Sequence, residues 1–598
     1  MEDDCQDVKC KQIKYRYPVL FLIITILISL IWSCWLVTYG TWNFIPKSRE
    51  INGRFYDLQA DGLLQGKLDV PCDRLFDRMI VDGKCYLYFG ITPSLIRVPL
   101  NFLFPDMKYR WSRILSFISY ALIISFSLLL FFNIHQSYSL VDDRTYYGAG
   151  IFTLILSFGS SLTLLISKSY IYHESILWGV SLVLISLFSM TRYLSSSKNF
   201  YLILAILFTF LSLHSRSSIG IQSFTYIFSS LIFILVAKHL AAKNYPDRYN
   251  VKSTINSFLP LPPPRYENKQ VGAALLLLLM ALFSYCLIQY GKFGTLDMLP
   301  YKKYHEYYQI WLNEGMGELF SYKNVWSNIN FYFNPSNVTF SNSFPYVKTL
   351  IDVKLGVASG MPGLLILSCI GLVMVGTESK YRKIRLLVIS ALVSLPILLS
   401  FYFTMYRYVN DMLPSIIILS AVASTRFIPL INKNRLILCA AIILVGFQFF
   451  INSATAISFQ RSNISGAVAV PIDAVEQLAD WREKFDINMT DFEYNSYQNP
   501  SMDKVFNLAS HGDTNSMCIL GTAYLTGEGV IPDIAESLRW YRKAARANNA
   551  YAQEMLGNLY SAKCFNFEPD FKKANEWYQM CAPARDNCRE YFMAPTSQ

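Results

Sequence analysis

The chain has 598 residues, 53% of them hydrophobic, 15% aromatic and only 16% charged, with a formal net charge of +11. Soluble domains carry roughly 25% charged residues, so this deficit, together with long apolar runs, excludes an ordinary soluble enzyme and points to a polytopic membrane protein. The Lys and Arg clusters flank apolar runs instead of covering a soluble face, which argues against nucleic acid and makes membrane lipids the expected partner.

Apolar runs near the ~20 residues that a bilayer requires fall at 18–39, 111–133, 147–167, 175–191, 200–214, 219–238, 271–290, 357–376, 384–404, 411–425 and 436–455. They predict an all-α fold, a transmembrane helix bundle of about eleven spans. Pro18–Val37 is too long for a signal-peptide apolar region, and no small-residue cleavage site follows it, so it reads as a true span. Lys9, Lys11, Lys14 and Arg16 precede it and place the N-terminus in the cytoplasm. Threading then puts Lys380–Arg385 inside as well. The loop at 41–110, the loop at 291–356, Arg407–Asp411 and the C-terminal tail come out on the opposite, lumenal or periplasmic side.

The 41–110 loop is long, acidic and aromatic, with Asp57, Asp61, Asp69, Asp73, Asp77 and Asp82 and the cysteines Cys72 and Cys85. Long loops are functional or disordered, and the aromatic content here favours a folded cap over a site at the membrane surface. A Pro-rich connector lies at 244–269. The second large loop, with YKKYHEYYQIW and FYFNP, predicts short interfacial helices, and Asn337, Val338 and Thr339 form a glycosylation sequon. The tail holds Cys518, Cys564, Cys581 and Cys588. Even cysteine counts on both segments suit an oxidising compartment, with three pairings open for the tail.

Residues 1–455 thus form the membrane domain, 456–502 a linker and 503–598 a soluble domain. In the last, Leu520-Gly521-x-x-Tyr524 recurs as Leu556-Gly557-x-x-Tyr560, followed by Trp540-Tyr541 and Trp577-Tyr578. This is a C-terminal α-solenoid of helix-turn-helix repeats. The stretch ILGTAYLTGEGVIPDIAESLRWYRKAARANN resembles a Sel-one-like repeat, related to the tetratricopeptide repeat, which implies a protein partner for 503–598. The second copy replaces the Gly-rich turn with SAKCFNFEPD.

Four polar clusters stand at the outer ends of spans. Asp57 and Asp61 are four apart, so on a helix they share a face, and like charges there would raise one pKa, as a general base needs. The plain alternative is a solvated acidic turn. His173 and Glu174 form an ionisable pair at the bilayer surface, functional or simply snorkelling. Arg216, in HSRSSIG, offers a planar donor fork for phosphate or for a lipid headgroup. Arg407, Tyr408 and Asp411 lie in RYVNDMLP, where Arg407 and Asp411, again four apart, read as a phosphate clamp or a structural pair. There is no Walker A, HExxH or GxSxG motif.

The ordered set DGKCYLYFGITPSLIRVPL, YHESILWG, HSRSSIG, YGKFGTLDMLPY and RYVNDMLP resembles the C-type (GT-C) membrane glycosyltransferases, and within them a bacterial group of integral membrane proteins, over about residues 18–455. The resemblance implies a bacterial inner-membrane enzyme that moves a sugar from a polyprenyl-phosphate donor to an extracytoplasmic acceptor. It carries the family's first-loop acid over to Asp57, with Asp61 second, although no Asp-Asp, Asp-Glu or Glu-x-Asp pair stands there. It leaves His173, Glu174, Arg216, Arg407, Tyr408 and Asp411 to hold the donor phosphate. No cofactor is required by the sequence, and a divalent metal is left open. Two rival readings are a non-catalytic envelope scaffold presenting the repeats and a lipid-linked sugar transporter, which would need polar residues deep in mid-span.

Overall fold

The structure, a computed structural model, describes residues 2–46, 54–72, 79–139, 141–242, 268–296, 304, 318–338, 340–341, 343–347, 355–431, 434–461, 470–485, 501–530, 532–561 and 567–588. Eight helical stretches among these residues are long and apolar enough to cross a membrane, and Asn199–Leu213 and Pro362–Thr377 are shorter apolar helices. The chain is an integral membrane protein. Several predicted runs are interrupted: 357–376 breaks between Val357–Gly360 and Pro362–Thr377, 384–404 between Arg385–Ala391 and Ser394–Ser400, and 147–167 breaks as well. After α1 (Glu2–Val37), α2 (Arg54–Leu64), α3 (Thr92–Leu103) and α4 (Ser112–Tyr138), the chain forms α5 (Asp143–Phe158), breaks, and resumes as α6 (Leu162–Ser167). The break falls where the Gln448 side amide packs directly on Gly159. Past it, Ser161 Oγ donates to Asn410 Oδ1 at 2.9 Å, so the interrupted helix reaches across to the segment that carries Arg407.

The bundle is organised around α7 (Ile171–Ser196), whose side chains are buried on nearly every side. A helix buried on nearly every side belongs in a core, and several of its hydroxyls are satisfied locally or by α8 (Asn199–Leu213), as Ser186 Oγ is by the Ala205 carbonyl at 2.9 Å. After α9 (Ser217–Ala242), α10 (Asn268–Phe293), α11 (Asn324–Phe333), α12 (Pro362–Thr377) and α13 (Leu413–Ile431), the last membrane helix, α14 (Arg435–Arg461), turns Leu436, Ile442 and Ile443 outward, as a lipid-facing helix does. Close helix contact is set by Gly371, where any Cβ would run into the Leu419 backbone of α13.

The first loop is folded. A hairpin pairs β1 (Met79–Val81) with β2 (Lys84–Tyr86) through Asp82-Gly83, both at positive φ, as tight hairpin turns require. Cys72 and Cys85 are disulfide-bonded. Asp73 and Asp77 lie outside the described residues. The loop is fastened to the bundle by backbone. Thr92 N–H donates to the His214 carbonyl at 2.9 Å, and Lys292 Nζ donates to the Leu87 and Phe89 carbonyls at 2.9 and 3.0 Å. Gly90 sits against the His214 carbonyl with no room for a side chain. In the second loop α11 exposes Trp326, and Asn328 Nδ2 donates to the Leu399 and Phe401 carbonyls at 2.7 and 2.6 Å. YKKYHEYYQIW apart from Tyr304, and Thr339 of the sequon, lie outside the described residues.

The stretch at 456–502 contains the end of α14 and a further helix, α15 (Ile472–Phe485), and α16 (Ser501–Ser510) begins within it. The repeats follow as α17 (Thr514–Thr526), α18 (Ile534–Arg546), α19 (Ala550–Tyr560) and α20 (Phe571–Cys581). The repeated Leu-Gly has a packing cause, since Gly521 lies on the Tyr541 ring and Gly557 on the Tyr578 ring. Cys581 and Cys588 are bonded, Cys518 is a buried free thiol, and Cys564 lies outside the described residues.

The repeats are docked on the bundle. α15 lies on α18, with Arg482 reaching Asp533 and Glu536 at 2.9 and 2.8 Å, while its Nε donates to the Phe344 carbonyl of the second loop at 2.8 Å. A short parallel pairing joins Val470–Pro471 to Phe567–Glu568. Glu568 then meets Arg113 of α4 at 2.7 Å, both nearly sealed from solvent. Removing one partner of a buried ion pair costs about 3–5 kcal/mol. Glu568→Ala is therefore expected to loosen the repeat domain, read as faster release of a C-terminal fragment in limited proteolysis of the full-length protein.

Candidate functional site

One end of the bundle holds two charge centres. The first is built by the first loop. Phe55–Ala60 of α2 is buried, and it carries Asp57 inward in the helix's first turn, where a carboxylate is favoured. Arg97 and Asn101 are four apart on α3 and so share a face. Asn101 Nδ2 donates to Asp57 Oδ1 at 2.7 Å, and Arg97 Nε lies 3.4 Å from Asp57 Oδ2. The same guanidinium forks onto Glu174 of α7, Nη1 to Oε1 at 2.6 Å and Nη2 to Oε2 at 2.9 Å. Arg97, Asp57 and Glu174 are all buried. Burial pushes the Asp57 carboxyl above the usual carboxylate range, with Arg97 and Asn101 restraining the rise. For Arg97, burial opposes the charge, but Glu174 and Asp57 outweigh it and the pKa is raised.

The second centre is the 3-10 turn Tyr406–Met412 before α13. Asp411 accepts from Arg216, Nε to Oδ1 at 2.7 Å and Nη2 to Oδ2 at 3.1 Å, and from Ser218 Oγ at 2.7 Å. Gln222 and Ser394 bind the Asp411 backbone carbonyl at 2.6 and 2.8 Å. Arg407 is not clamped to Asp411. In a 3-10 turn side chains three apart eclipse and those four apart diverge, so Arg407 lies instead over the Tyr172 ring at 4.4 Å and the Tyr408 ring at 5.2 Å. Its Nε has no hydrogen-bond partner, and among the described residues no carboxylate forms an ion pair with it.

The two centres meet at the start of α7, where Tyr172 holds Arg407 and Glu174, two residues on, holds Arg97. Half-buried Tyr88, Tyr170, Tyr172, Arg216, Arg407 and Tyr408 form a rim, with Asp57, Arg97 and Glu174 sealed behind it. Members of all four predicted clusters are therefore neighbours, but not in the expected pairs. Asp61 parts from Asp57 and bonds Lys108 at 2.8 Å, partly exposed. The Asp57 shift thus comes from burial and not from Asp61. His173 is buried with Nδ1 at 3.1 and 3.2 Å from the Leu165 and Lys168 carbonyls. Carbonyls only accept, so Nδ1 carries the proton and the ring fastens the turn before α7.

Sequence reasoning missed Arg97, Asn101 and Lys292. Their signal was an arginine and an asparagine four apart on an otherwise apolar short helix, and a lysine in the last turn of a span. The donor set does not fit the divalent metal left open above. Among the described residues no three His, Cys, Asp or Glu side chains group around one point, and the guanidinium of Arg97 already fills the space between Asp57 and Glu174.

Comparison with known proteins gives the following. The Sel1 repeat family matches residues 514–549 and 550–582, so the tail carries two Sel1 repeats. No curated protein matches the chain. Among solved structures the chain is similar to the Archaeoglobus fulgidus oligosaccharyltransferase in the apo form, at TM-score 0.40 and 14% identity over 73% of this chain and 55% of that one. It is also similar to the archaeal oligosaccharyltransferase AglB from Archaeoglobus fulgidus in complex with an inhibitory peptide and a dolichol-phosphate, at TM-score 0.40 and 13% identity over 81% and 59%. The chain spans a little over half the length of these proteins.

Proposed function

We propose that this chain is a membrane glycosyltransferase that moves a sugar from a polyprenyl-phosphate donor to an acceptor on the extracytoplasmic side, with the N-terminus cytoplasmic and the repeats on the far side of a bacterial inner membrane. The observation that carries the reading is Arg407, a guanidinium on the rim that faces tyrosines and, among the described residues, forms no ion pair with an acid. Such a fork suits a phosphate oxygen pair. The lipid phosphate binds there as the leaving group, and Arg407 stabilises the charge that develops on it. Arg216, neutralised by Asp411, orients Tyr408 and shapes the rim, its guanidinium lying 5.4 Å from that ring. Tyr88, Tyr170 and Tyr172 stack on the sugar.

Asp57 takes the proton of the acceptor hydroxyl as its oxygen forms the new bond to the anomeric carbon and the carbon–phosphate oxygen bond breaks, an in-line inverting displacement. Its Oδ2 faces Arg97 Nε at 3.4 Å but makes no hydrogen bond, which leaves it lone-pair capacity for the acceptor proton. Asp57 is buried behind the rim, so transfer requires the acceptor to displace the side chains in front of it. A protein partner of the Sel1 repeats belongs to the same proposal, on the surface away from α15. The scaffold reading requires the repeats to be a free arm, and their docking on Arg113 and Phe344 argues against that.

The test is transfer from a polyprenyl-phosphate sugar by the full-length protein in nanodiscs. Asp57→Asn is expected to lower the rate by about 10²–10⁴ with unchanged membrane abundance, and undiminished transfer would remove Asp57 from the role. The base must be ionised, and burial holds its pKa above the ordinary ~3.9, so the rate should climb as pH rises through that elevated value. The linked stability runs the other way, full below about pH 4 and falling as pH rises through the folded-state pKa.

Arg407→Gln should cut transfer by about 10²-fold and leave the unfolding midpoint in place, because no buried acid loses its partner. Asp411→Ala should lower the midpoint, since it strands Arg216 at a cost on the order of 2–3 kcal/mol.

A further inference from the structure

We infer that Arg97 is the built-in cation of this site, its guanidinium holding the position between Asp57 and Glu174 that a divalent ion would otherwise have to fill, so that the chain works without one. This rests on the glycosyltransferase reading above.

Two carboxylates arrive from separate elements, Asp57 on α2 and Glu174 on α7, and both are removed from water. Buried carboxylates demand a cation or a proton. The cation here is covalent. Every donor of the fork is directed. Nη1 serves Glu174 and the Pro93 carbonyl at 3.2 Å, Nη2 serves Glu174 and Ser112 Oγ at 3.0 Å, and Nε faces Asp57. A hard divalent ion collects about six oxygen ligands, and the other candidates singled out among the described residues are already committed. Asp411 belongs to Arg216, Asp61 to Lys108, and the His173 ring to backbone carbonyls. To enter, an ion would have to expel a fully buried guanidinium.

The arrangement also divides labour between the two acids. Glu174 receives both terminal nitrogens and fixes the guanidinium. Asp57 meets Arg97 only through Nε, at the longer distance of 3.4 Å from Oδ2, while its Oδ1 accepts from Asn101, so it stays near positive charge without being forked. Arg97 is therefore a positioning residue, favouring the charged form of Asp57 against its burial as a metal ion would, but not removable by a chelator.

The experiment uses the full-length protein in nanodiscs and reads the thermal unfolding midpoint in EDTA, in Mg²⁺ and in Mn²⁺. The wild type is expected to unfold at one midpoint in all three. Arg97→Ala should unfold earlier in EDTA and be stabilised by Mn²⁺, because the vacated space leaves two carboxylates to bind it. Arg97→Ala combined with Glu174→Gln should lose that Mn²⁺ response. A midpoint raised by Mg²⁺ or Mn²⁺ in the wild type, or an Arg97→Ala variant indifferent to Mn²⁺, overturns the inference. If Arg97→Ala does not fold, wild-type transfer decides. An equal rate in EDTA supports the inference, and a loss restored by Mn²⁺ overturns it. Absence of transfer under every condition would sink the glycosyltransferase reading, while the midpoints would still judge Arg97.

Discussion

A guanidinium buried between two carboxylates is the constraint from which this architecture follows. Arg97 cannot leave water without partners, because the desolvation penalty is several kcal/mol per ion. Its partners come from α2 and α7, while its own helix, α3, belongs to the first loop. The loop is thereby tied to the most buried helix of the bundle. Further polar fastenings run from Thr92 to the His214 carbonyl and from Lys292 to the Leu87 and Phe89 carbonyls, beside apolar contacts such as Phe89 and Leu87 with Ile171. In surroundings this apolar, an unmet donor or acceptor is expensive, so the polar contacts fix the loop's seat more sharply than hydrophobic packing would.

The repeats obey a related rule. Helix-turn-helix units bury their apolar stripes on neighbours, and about three are needed for an independent core. Two Sel1 repeats fall short of that. The missing neighbours are α16 against α17 and α15 against α18, with Tyr39, Ile457 and Phe344 of the membrane domain sharing the same apolar cluster as Val475, Leu478 and Tyr541. Arg461, at the end of α14, lies between the rings of Trp35 and Trp481 at 4.7 and 4.9 Å. The soluble tail is thus finished by the bundle it sits on.

Much of this was legible in the residues. Apolar runs marked the membrane helices, and the Leu-Gly-x-x-Tyr period marked the repeats. What was not legible has physical causes. Hydropathy cannot register a helix break such as that at Gly159, because the residues on both sides are equally apolar. The α-helical period was assumed for Arg407 and Asp411, and the 3-10 turn sends them to different partners. Asp57 and Asp61 do share a helix, but one faces the core and the other Lys108, so spacing alone overstated their coupling. Helix α15 has apolar positions at Ile472, Val475, Leu478 and Ala479, a helical period hidden in a stretch whose polarity suggested a linker. Arg97 was the largest omission, a single charge in LIRVPL whose meaning depends on acids 40 and 77 positions away.

The site's three arginines therefore differ in kind although their residue type is the same. Arg97 and Arg216 are each held by a bidentate carboxylate and have spent their charge on structure. Arg407 rests against aromatic faces, which stabilise a cation by about 0.5–2 kcal/mol, less than a carboxylate would in the same place. Tyrosines hold the guanidinium in position without neutralising it. A half-buried cation kept this way retains most of its affinity for an incoming anion, and an acid in place of Tyr172 would have used that affinity up. The same economy explains why Asp57 keeps one oxygen unbonded while Glu174 keeps none, since a group saturated in the resting state has nothing left to offer a substrate.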